Sequence, residues 1–288
     1  MLLAKDWEDY ELLDAGNGEK LERWGSYRLR RPDPQAIWPV TCDRALWEQA
    51  DARYIRSSSG GGQWSFRNRI PGQWTLSYRD LKFVIHPTGF KHTGLFPEQA
   101  VNWDWMMERI RDCQRPVRVL NLFAYTGGAT VACASRGAEV CHVDAAKGMV
   151  AVAGENLRLS GLEDRRVRLI VDDVLKFVQR EERRQSRYDA VIMDPPSYGR
   201  GPGGEVWKME DRIYDFVEAC MRVLSKQPLF FLVNSYTTGL SPLVMENIFR
   251  LTLGRKYPHG RITAGETGIP ATLAPIILPC GAYCRWEA

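Results

Sequence analysis

The alternation of apolar and polar positions divides the chain in two. From about residue 8 to 90 the apolar side chains come in short runs with a two-residue period, such as Ser26-Tyr27-Arg28-Leu29-Arg30 and Trp74-Thr75-Leu76-Ser77-Tyr78. Turn-forming clusters separate them at Asn17-Gly18, Arg31-Pro32-Asp33-Pro34, Ser59-Gly60-Gly61-Gly62 and Pro71-Gly72. Helical periodicity is confined there to residues 41–50. The pattern predicts a small antiparallel β domain or extension over residues 1–97. From residue 98 onward, five apolar runs read as strands: Val117–Leu122, Glu139–Asp144, Val167–Val171, Tyr188–Met193 and Leu229–Val233. Segments of helical texture lie between them, at Thr130–Arg136, Ala145–Leu159 and Val174–Arg184. Strand and helix alternating at this spacing predict an α/β domain over residues 98–288, with a parallel sheet covered on both faces. Ligands of such sheets sit beyond the carboxyl ends of the strands, at the point where the strand order reverses. The residues that close each strand are therefore the ones to read for chemistry.

Composition changes this picture little. An apolar fraction of 44% in 288 residues supports a sizeable core. The formal charge of +4 permits a nucleic-acid partner without demanding one. No apolar run approaches the roughly 18 residues of a membrane span, and the N-terminus turns acidic at Asp6 before a signal-peptide core can form. The seven cysteines, Cys42, Cys113, Cys133, Cys141, Cys220, Cys280 and Cys284, are odd in number and scattered, with no C-x-x-C pair. That usage argues against a disulfide framework and a zinc ribbon; reduced thiols, a cytoplasmic location and no metal are the expectations.

The first strand runs into Asn121-Leu122-Phe123-Ala124-Tyr125-Thr126-Gly127-Gly128. Glycines at this point let backbone N–H groups approach a ligand, and the helix that follows offers its positive end. The G-x-G-x-x-G spacing of a dinucleotide fold is missing, which argues against NAD and FAD. Asp144 closes the second strand, seventeen positions beyond Gly127; it can accept hydrogen bonds from a ribose diol or cap the next helix. Asp173 follows the third strand, where a carboxylate can recognise an adenine amino group with Val174 against the ring, or again cap a helix. Each reading alone is weak, but a glycine turn and two aspartates close three successive strands in the order a nucleoside requires. Asp194-Pro195-Pro196-Ser197-Tyr198 closes the fourth strand. Two prolines cannot continue a ladder, so they make a rigid turn that displays carbonyl groups to a planar amine or base. The run Gly199-Arg200-Gly201-Pro202-Gly203-Gly204 reads as a mobile loop over the site.

At these residues the chain resembles the class I S-adenosylmethionine-dependent methyltransferases. More narrowly, it is similar to the branch that includes large-subunit ribosomal RNA cytosine-5 and guanine-N7 methyltransferases, over roughly residues 90 to 288. His92-Thr93-Gly94-Leu95-Phe96-Pro97-Glu98-Gln99 resembles that branch's K-T-G-x-F-x-D-Q segment, with His92 in place of Lys, Glu98 in place of Asp, and Ala100 where Arg is usual. The resemblance implies a Rossmann-like, seven-stranded sheet with a reversed final strand, for which Ile276-Ile277-Leu278 and Ala282-Tyr283-Cys284-Arg285-Trp286 are the late strands. It implies S-adenosyl-L-methionine as cofactor. Its contacts would be Phe96, Gln99, Asn121, Phe123, Tyr125, Thr126, Gly127, Asp144, Asn156, Asp173, Val174 and Asp194, with Asp194, Pro195 and Pro196 at the reacting end.

One departure limits the carry-over. Cytosine-5 methylation needs a cysteine thiolate, and in this branch the cysteine follows the fifth strand. Here that place holds Asn234-Ser235-Tyr236-Thr237-Thr238. Cys280 is the remaining thiol near a late strand-end turn, and an inert packed cysteine is the expectation for it. Transfer to nitrogen suits Asp-Pro-Pro-Ser-Tyr, which is similar to the [DN]-P-P-[YFW] turn of amino-methylating enzymes except that Ser197 replaces the aromatic. RNA is the favoured acceptor, on the family branch and on Arg28, Arg30, Arg31, Arg53, Arg56, Arg67 and Arg69 interleaved with Trp64 and Phe66. The alternatives are a methyltransferase of a small molecule or protein, and a nucleoside-binding protein without catalysis.

Overall fold

The computed structural model of the chain describes residues 1–57, 61–89, 91–200, 206–237 and 239–288. The strands of its first part are β1 (Leu2–Leu3), β2 (Tyr10–Gly16), β3 (Glu19–Trp24), β4 (Tyr27–Pro32), β5 (Ala52–Arg56), β6 (Gly62–Phe66), β7 (Trp74–Tyr78) and β8 (Leu81–Ile85), with one short helix, α1 (Arg44–Glu48). The second part contains β9 (Arg118–Leu122), β10 (Glu139–Asp144), β11 (Val167–Val171), β12 (Ala190–Met193), β13 (Tyr198–Arg200), β14 (Val206–Lys208), β15 (Phe230–Ser235), β16 (Arg261–Pro270) and β17 (Ile277–Glu287). Its helices are α2 (Ala100–Asp112), α3 (Gly128–Ser135), α4 (Lys147–Leu159), α5 (Val174–Arg183), α6 (Met209–Met221), α7 (Pro242–Leu251) and α8 (Leu253–Lys256). Two compact units result. One comprises Leu3–Ala100 with Gly268–Cys280; the other comprises Met1–Leu2, Val101–Thr267 and Gly281–Ala288.

In the first unit β2 to β6 form a sheet in sequence order. Neighbours are antiparallel except β4 and β5, which pair parallel through Leu29–Ala52 and Arg30–Arg53. The exception follows from the connection between them, which is long enough to contain α1 and so returns the chain to the same end of the sheet. Asn17 and Gly18 at the β2–β3 turn have φ of 52° and 77°, the paired left-handed conformation of a two-residue hairpin turn. The segment Gly268–Cys280 joins this unit by backbone pairing: Ala4 donates to the Gly268 carbonyl (3.0 Å), and Thr272 and Leu273 donate to those of Leu12 and Leu13 (2.9 and 3.0 Å).

The unit spends its tryptophans and several arginines on itself. The indole N–H groups of Trp7, Trp38, Trp64 and Trp74 donate to the carbonyls of Pro97, Ala15, Thr88 and Trp24. Arg30 and Arg53 both bind Glu19, and Arg31 binds Glu22. Of the basic and aromatic set read from the sequence, Arg53, Arg56, Phe66, Arg67 and Arg69 stand exposed.

The second unit contributes the parallel core of an eight-stranded mixed sheet in the order β1-β16-β17-β15-β12-β9-β10-β11. β9, β10, β11, β12 and β15 run parallel, and β17 is antiparallel to β15. The chain winds outward from β9 to β11 and then crosses back to β12, so the order reverses between β9 and β12. Leu122, Val143, Val191, Met193, Phe216 and Phe231 lie fully buried in the core. Three strand readings are corrected. The two late strands are one, β17, running through Pro279 and through Gly281 with φ 101°. β16 was not read, because Gly265, Gly268 and Pro270 interrupt its pattern. The fourth strand begins at Ala190, with Tyr188 making a single bridge to Leu224.

The first unit also holds a buried ion pair. Glu22 accepts from Arg31 Nε (2.6 Å), from Arg31 Nη2 (2.8 Å) and from the Tyr10 hydroxyl (2.8 Å). Burial pushes its pKa up, but the Arg31 and Lys20 charges and these hydrogen bonds prevail and bring it down to about 2. Glu22→Gln should therefore cost roughly 3–5 kcal/mol, because it leaves Arg31 buried without its anion; urea unfolding measures it. The pH dependence has a definite sign. The Glu22 contribution is complete above its ordinary pKa of 4.5 and disappears as pH falls toward about 2.

Candidate functional site

Strand register fixes where the strands finish. Leu122 pairs with Val143 and with Met193, Asp144 with Val171, and Met193 with Val233. The residues one step further, Phe123, Asp144, Val171, Asp194 and Asn234, therefore stand in a row along the carboxyl edge, about 4.8 Å per strand apart, and Asp172 and Asp173 follow directly after β11. The row spans the point between β9 and β12 where the strand order reverses.

The turn after β9 is tightly wound. Phe123, Tyr125 and Gly127 have φ of 54°, 50° and 83°, so a left-handed residue recurs at every second position. Such a backbone persists where its surroundings over-determine it. Asp144 supplies the main restraint: one oxygen accepts from Tyr125 N–H and the other from Ala146 N–H, both at 2.8 Å. Ala124 donates to the Val143 carbonyl (3.1 Å). Beneath the turn, Asn156 Nδ2 donates to the Thr126 carbonyl (2.8 Å) and Asn121 Nδ2 to Thr130 Oγ1 (2.9 Å), which in turn meets His142 Nδ1 at 2.9 Å. Asn121, Thr126, Thr130, His142 and Asn156 are all buried. Gly127 has no room for a side chain, since a Cβ would stand 2.8 Å from that of Ala153.

Asp173 is the N-cap of α5 and accepts from Lys176 N–H at 2.8 Å; Asp172 beside it binds Arg180. Val174 lies buried in the apolar core. Phe96 and Gln99 belong to the first unit, at the start and end of a one-turn 3-10 helix, with Gln99 buried and Phe96 beside His92. After β12, Asp194 is half-buried, Pro195 buried and Pro196 exposed. The Pro196 carbonyl accepts the indole N–H of Trp207 (2.7 Å). Ser197 accepts at its carbonyl from Met209 N–H (3.1 Å) and at its hydroxyl from Thr237 (2.8 Å). The glycine-rich loop read from the sequence is different at its start: Tyr198–Arg200 is a strand paired with Val206–Lys208. Residues 201–205 lie outside the described residues, as do Ser59, Gly60 and Thr238.

The family model of S-adenosylmethionine-dependent methyltransferases matches residues 35–214. The solved structure of a SAM-dependent methyltransferase from Agrobacterium tumefaciens is 38% identical, with a TM-score of 0.93 over 99% of this chain and 92% of that one. The chain belongs to the S-adenosylmethionine-dependent methyltransferases. Among curated proteins, a putative ribosomal RNA large subunit methyltransferase of Methanocaldococcus jannaschii is 30% identical over 53% of this chain and 40% of its own length. The ribosomal RNA large subunit methyltransferase K/L of Allochromatium vinosum is 28% identical over 73% of this chain and 29% of its own. The chain thus spans less than half the length of these relatives.

The residues of the row fit the family's cofactor, S-adenosylmethionine, by the chemistry of their donors and acceptors. Each oxygen of Asp144 has one backbone partner and can accept a second hydrogen bond, which suits a ribose diol. Asp144, Asp173 and Asp194 give the edge a negative character suited to a sulfonium. Among the described residues no three His, Cys, Asp or Glu side chains gather as a metal ligand set, and no helix is long and apolar enough to cross a membrane.

Thiol chemistry is absent from the end of β15, which runs into Tyr236 and Thr237. Cys280 belongs to the first unit, where its Sγ donates to the Leu278 carbonyl (3.3 Å). Burial, then the Glu98 charge, push that thiol well above its ordinary range. A thiol so placed stays protonated and is a poor nucleophile. The sequence reading missed Thr130, His142, Trp207 and Thr237. For His142 a signal existed: a lone imidazole inside the apolar run Val140–Val143.

The imidazole makes the network testable. Thr130 Oγ1 accepts from Asn121 and meets His142 Nδ1 in a hydrogen bond whose direction follows the ring tautomer. Burial pushes His142 down to about 4. Its ring resonances should therefore not titrate between roughly pH 8 and pH 5. The stability that His142 contributes is full above its ordinary 6.5 and is lost as pH falls toward about 4. In that window wild type should lose up to about 1.4 kcal/mol per pH unit more than His142→Gln, measured by denaturant unfolding.

Proposed function

We propose that the protein transfers the methyl group of S-adenosylmethionine to a nitrogen of ribosomal RNA. The observation that carries the reading is the level finish of β10, β9 and β12 at Asp144, Phe123 and Asp194 across the reversal of strand order, with Asp173 just beyond β11 and the wound turn of Phe123–Gly127 in the middle. The cofactor supplies an already activated methyl on a sulfonium, so positioning and exclusion of water are what the protein must add. Asp144 would accept the ribose hydroxyls, and Asp173 the adenine amino group. Asn121, Thr126, Gly127 and Asn156 would hold the turn that Phe123 and Tyr125 present to the cofactor; Val174 would add to its apolar surroundings. Asp194 and the Pro195 carbonyl would accept the N–H groups of the acceptor and aim its lone pair at the methyl, and the Asp194 carboxylate would take up the proton released.

RNA as the class of acceptor is supported by the names of the relatives, and a cytoplasmic location by the same names and by seven free cysteines. Residues 98–288 would carry methyl transfer and residues 1–97 an RNA-facing extension, with Arg56, Arg67 and Arg69 on phosphates and Phe66 on a base.

S-adenosylhomocysteine at 100 times its dissociation constant should stabilise the protein by about 2.7 kcal/mol, and Asp144→Ala should weaken its binding about tenfold or more by calorimetry. No stabilisation would remove the cofactor reading. Ribosomal RNA from a deletion strain should accept labelled methyl from the wild-type protein, and mass spectrometry should place it on a base nitrogen. RNA affinity should fall with added salt, less steeply in Arg56→Ala; a salt-independent affinity would count against phosphate contacts.

A further inference from the structure

The Asp194-Pro195-Pro196-Ser197 turn leaves β12 without a ladder to hold it, since neither proline can donate. It is held from outside. Met209 and Thr237 fasten Ser197, and Trp207 fastens Pro196. The Trp207 ring has a second set of partners. It packs against Phe123 with centroids 5.1 Å apart and planes at 52°, and against Phe216 at 5.6 Å and 81°; Phe123 and Phe216 themselves meet edge to face at 5.9 Å. Aromatic contacts in these geometries are worth about 0.5–1.5 kcal/mol each beyond their area. Phe123 is the left-handed residue that opens the turn after β9. One indole therefore touches both edges of the strand-order reversal: its ring braces the turn after β9, and its N–H holds the turn after β12. Trp207 itself sits on β14, which pairs with β13 across Gly199.

We propose that Trp207 is a positioning residue for methyl transfer, setting the turn after β9 and the Asp194-Pro195-Pro196 turn at a fixed separation. The indole N–H fixes the orientation of the Pro196 carbonyl, and with it the turn that presents the Pro195 carbonyl and Asp194. The inference rests on reading Asp194-Pro195-Pro196 as the reacting end.

Two variants of the full chain separate the two contacts. Trp207→Phe keeps a ring against Phe123 but deletes the N–H. Its affinity for S-adenosylhomocysteine and its KM for S-adenosylmethionine should stay within about twofold of wild type, while kcat for methyl transfer to ribosomal RNA from a deletion strain falls about tenfold, the scale of loss when reacting groups are misplaced. Trp207→Leu keeps apolar volume but removes ring and N–H, and should also weaken S-adenosylhomocysteine binding several-fold by calorimetry. A merely structural tryptophan would lower the melting temperature of both variants and leave the ratio of kcat to KM effects alike. Wild-type kcat in Trp207→Phe overturns the proposal. If wild-type protein transfers no methyl to RNA, the RNA reading fails alone, and calorimetry then decides this one: Trp207→Leu binding S-adenosylhomocysteine as wild type does overturns it.

Discussion

Parallel strands in nearly level register must finish together, and the second unit depends on that constraint. Leu122, Val143 and Met193 are cross-strand neighbours, and Val233 is the neighbour of Met193. The residues after them cannot avoid standing in line. A slip of one residue in any strand would rotate its side chains to the opposite face and carry its closing aspartate out of the row. The apolar core beneath the sheet thus does more than stabilise: by fixing register it places Asp144 and Asp194 level along one edge, with Asp172 one step past the end of β11.

A row of carboxylates alone would be an arrangement of charge without shape. Shape comes from the turn after β9, where the left-handed Phe123 and Tyr125 cost free energy and Gly127 adopts the same conformation without that cost. That cost is met by polar groups placed under and beside the turn. Asp144 takes two backbone N–H groups, and Asn156, Asn121, Thr130 and His142 link the turn to α4, α3 and β10. Buried polar networks of this kind hold one geometry because every alternative leaves a desolvated donor or acceptor unpaired. Asp144 therefore has two roles that do not compete. Its backbone hydrogen bonds shape the turn, and its remaining lone pairs face outward. The sequence reading allowed this residue both a cap and a ligand role, and a carboxylate has acceptors enough for both.

The family, the α/β alternation and the edge residues were legible because each is local: an apolar run, a glycine turn and a closing aspartate can be read within ten residues. What escaped reading was non-local or low in contrast. β16 carries Gly265, Gly268 and Pro270 among few apolar residues, so its pattern falls below that of a strand, and only its place in the sheet order reveals it. The return of Gly268–Cys280 to the first unit is a pairing across more than 250 residues that no window can see. The tryptophans before residue 106 show a different limit of sequence reading. Basic and aromatic interleaving resembles a surface for nucleic acid, yet the indoles of Trp7, Trp38, Trp64 and Trp74 are tied to carbonyls and Arg30, Arg31 and Arg53 to glutamates. Composition reports which side chains are present, not which have already found partners.

The chemistry of the reacting end follows from the same accounting. A carbon acceptor such as cytosine C5 is too weak a nucleophile until a thiolate adds to its ring. The end of β15 offers hydroxyl and amide groups, and Cys280 is held protonated in the other unit. A nitrogen acceptor needs no such addition; it needs its N–H groups engaged so that its lone pair points one way. The turn after β12 supplies acceptors for that purpose and almost no donors, because its prolines have none. In the proposed reading, what looked from the sequence like a strand breaker is a means of building a surface that accepts and cannot donate. An acceptor nitrogen bearing hydrogens is held by such a surface, whereas a ring carbon or an N7-type lone pair has nothing to give it.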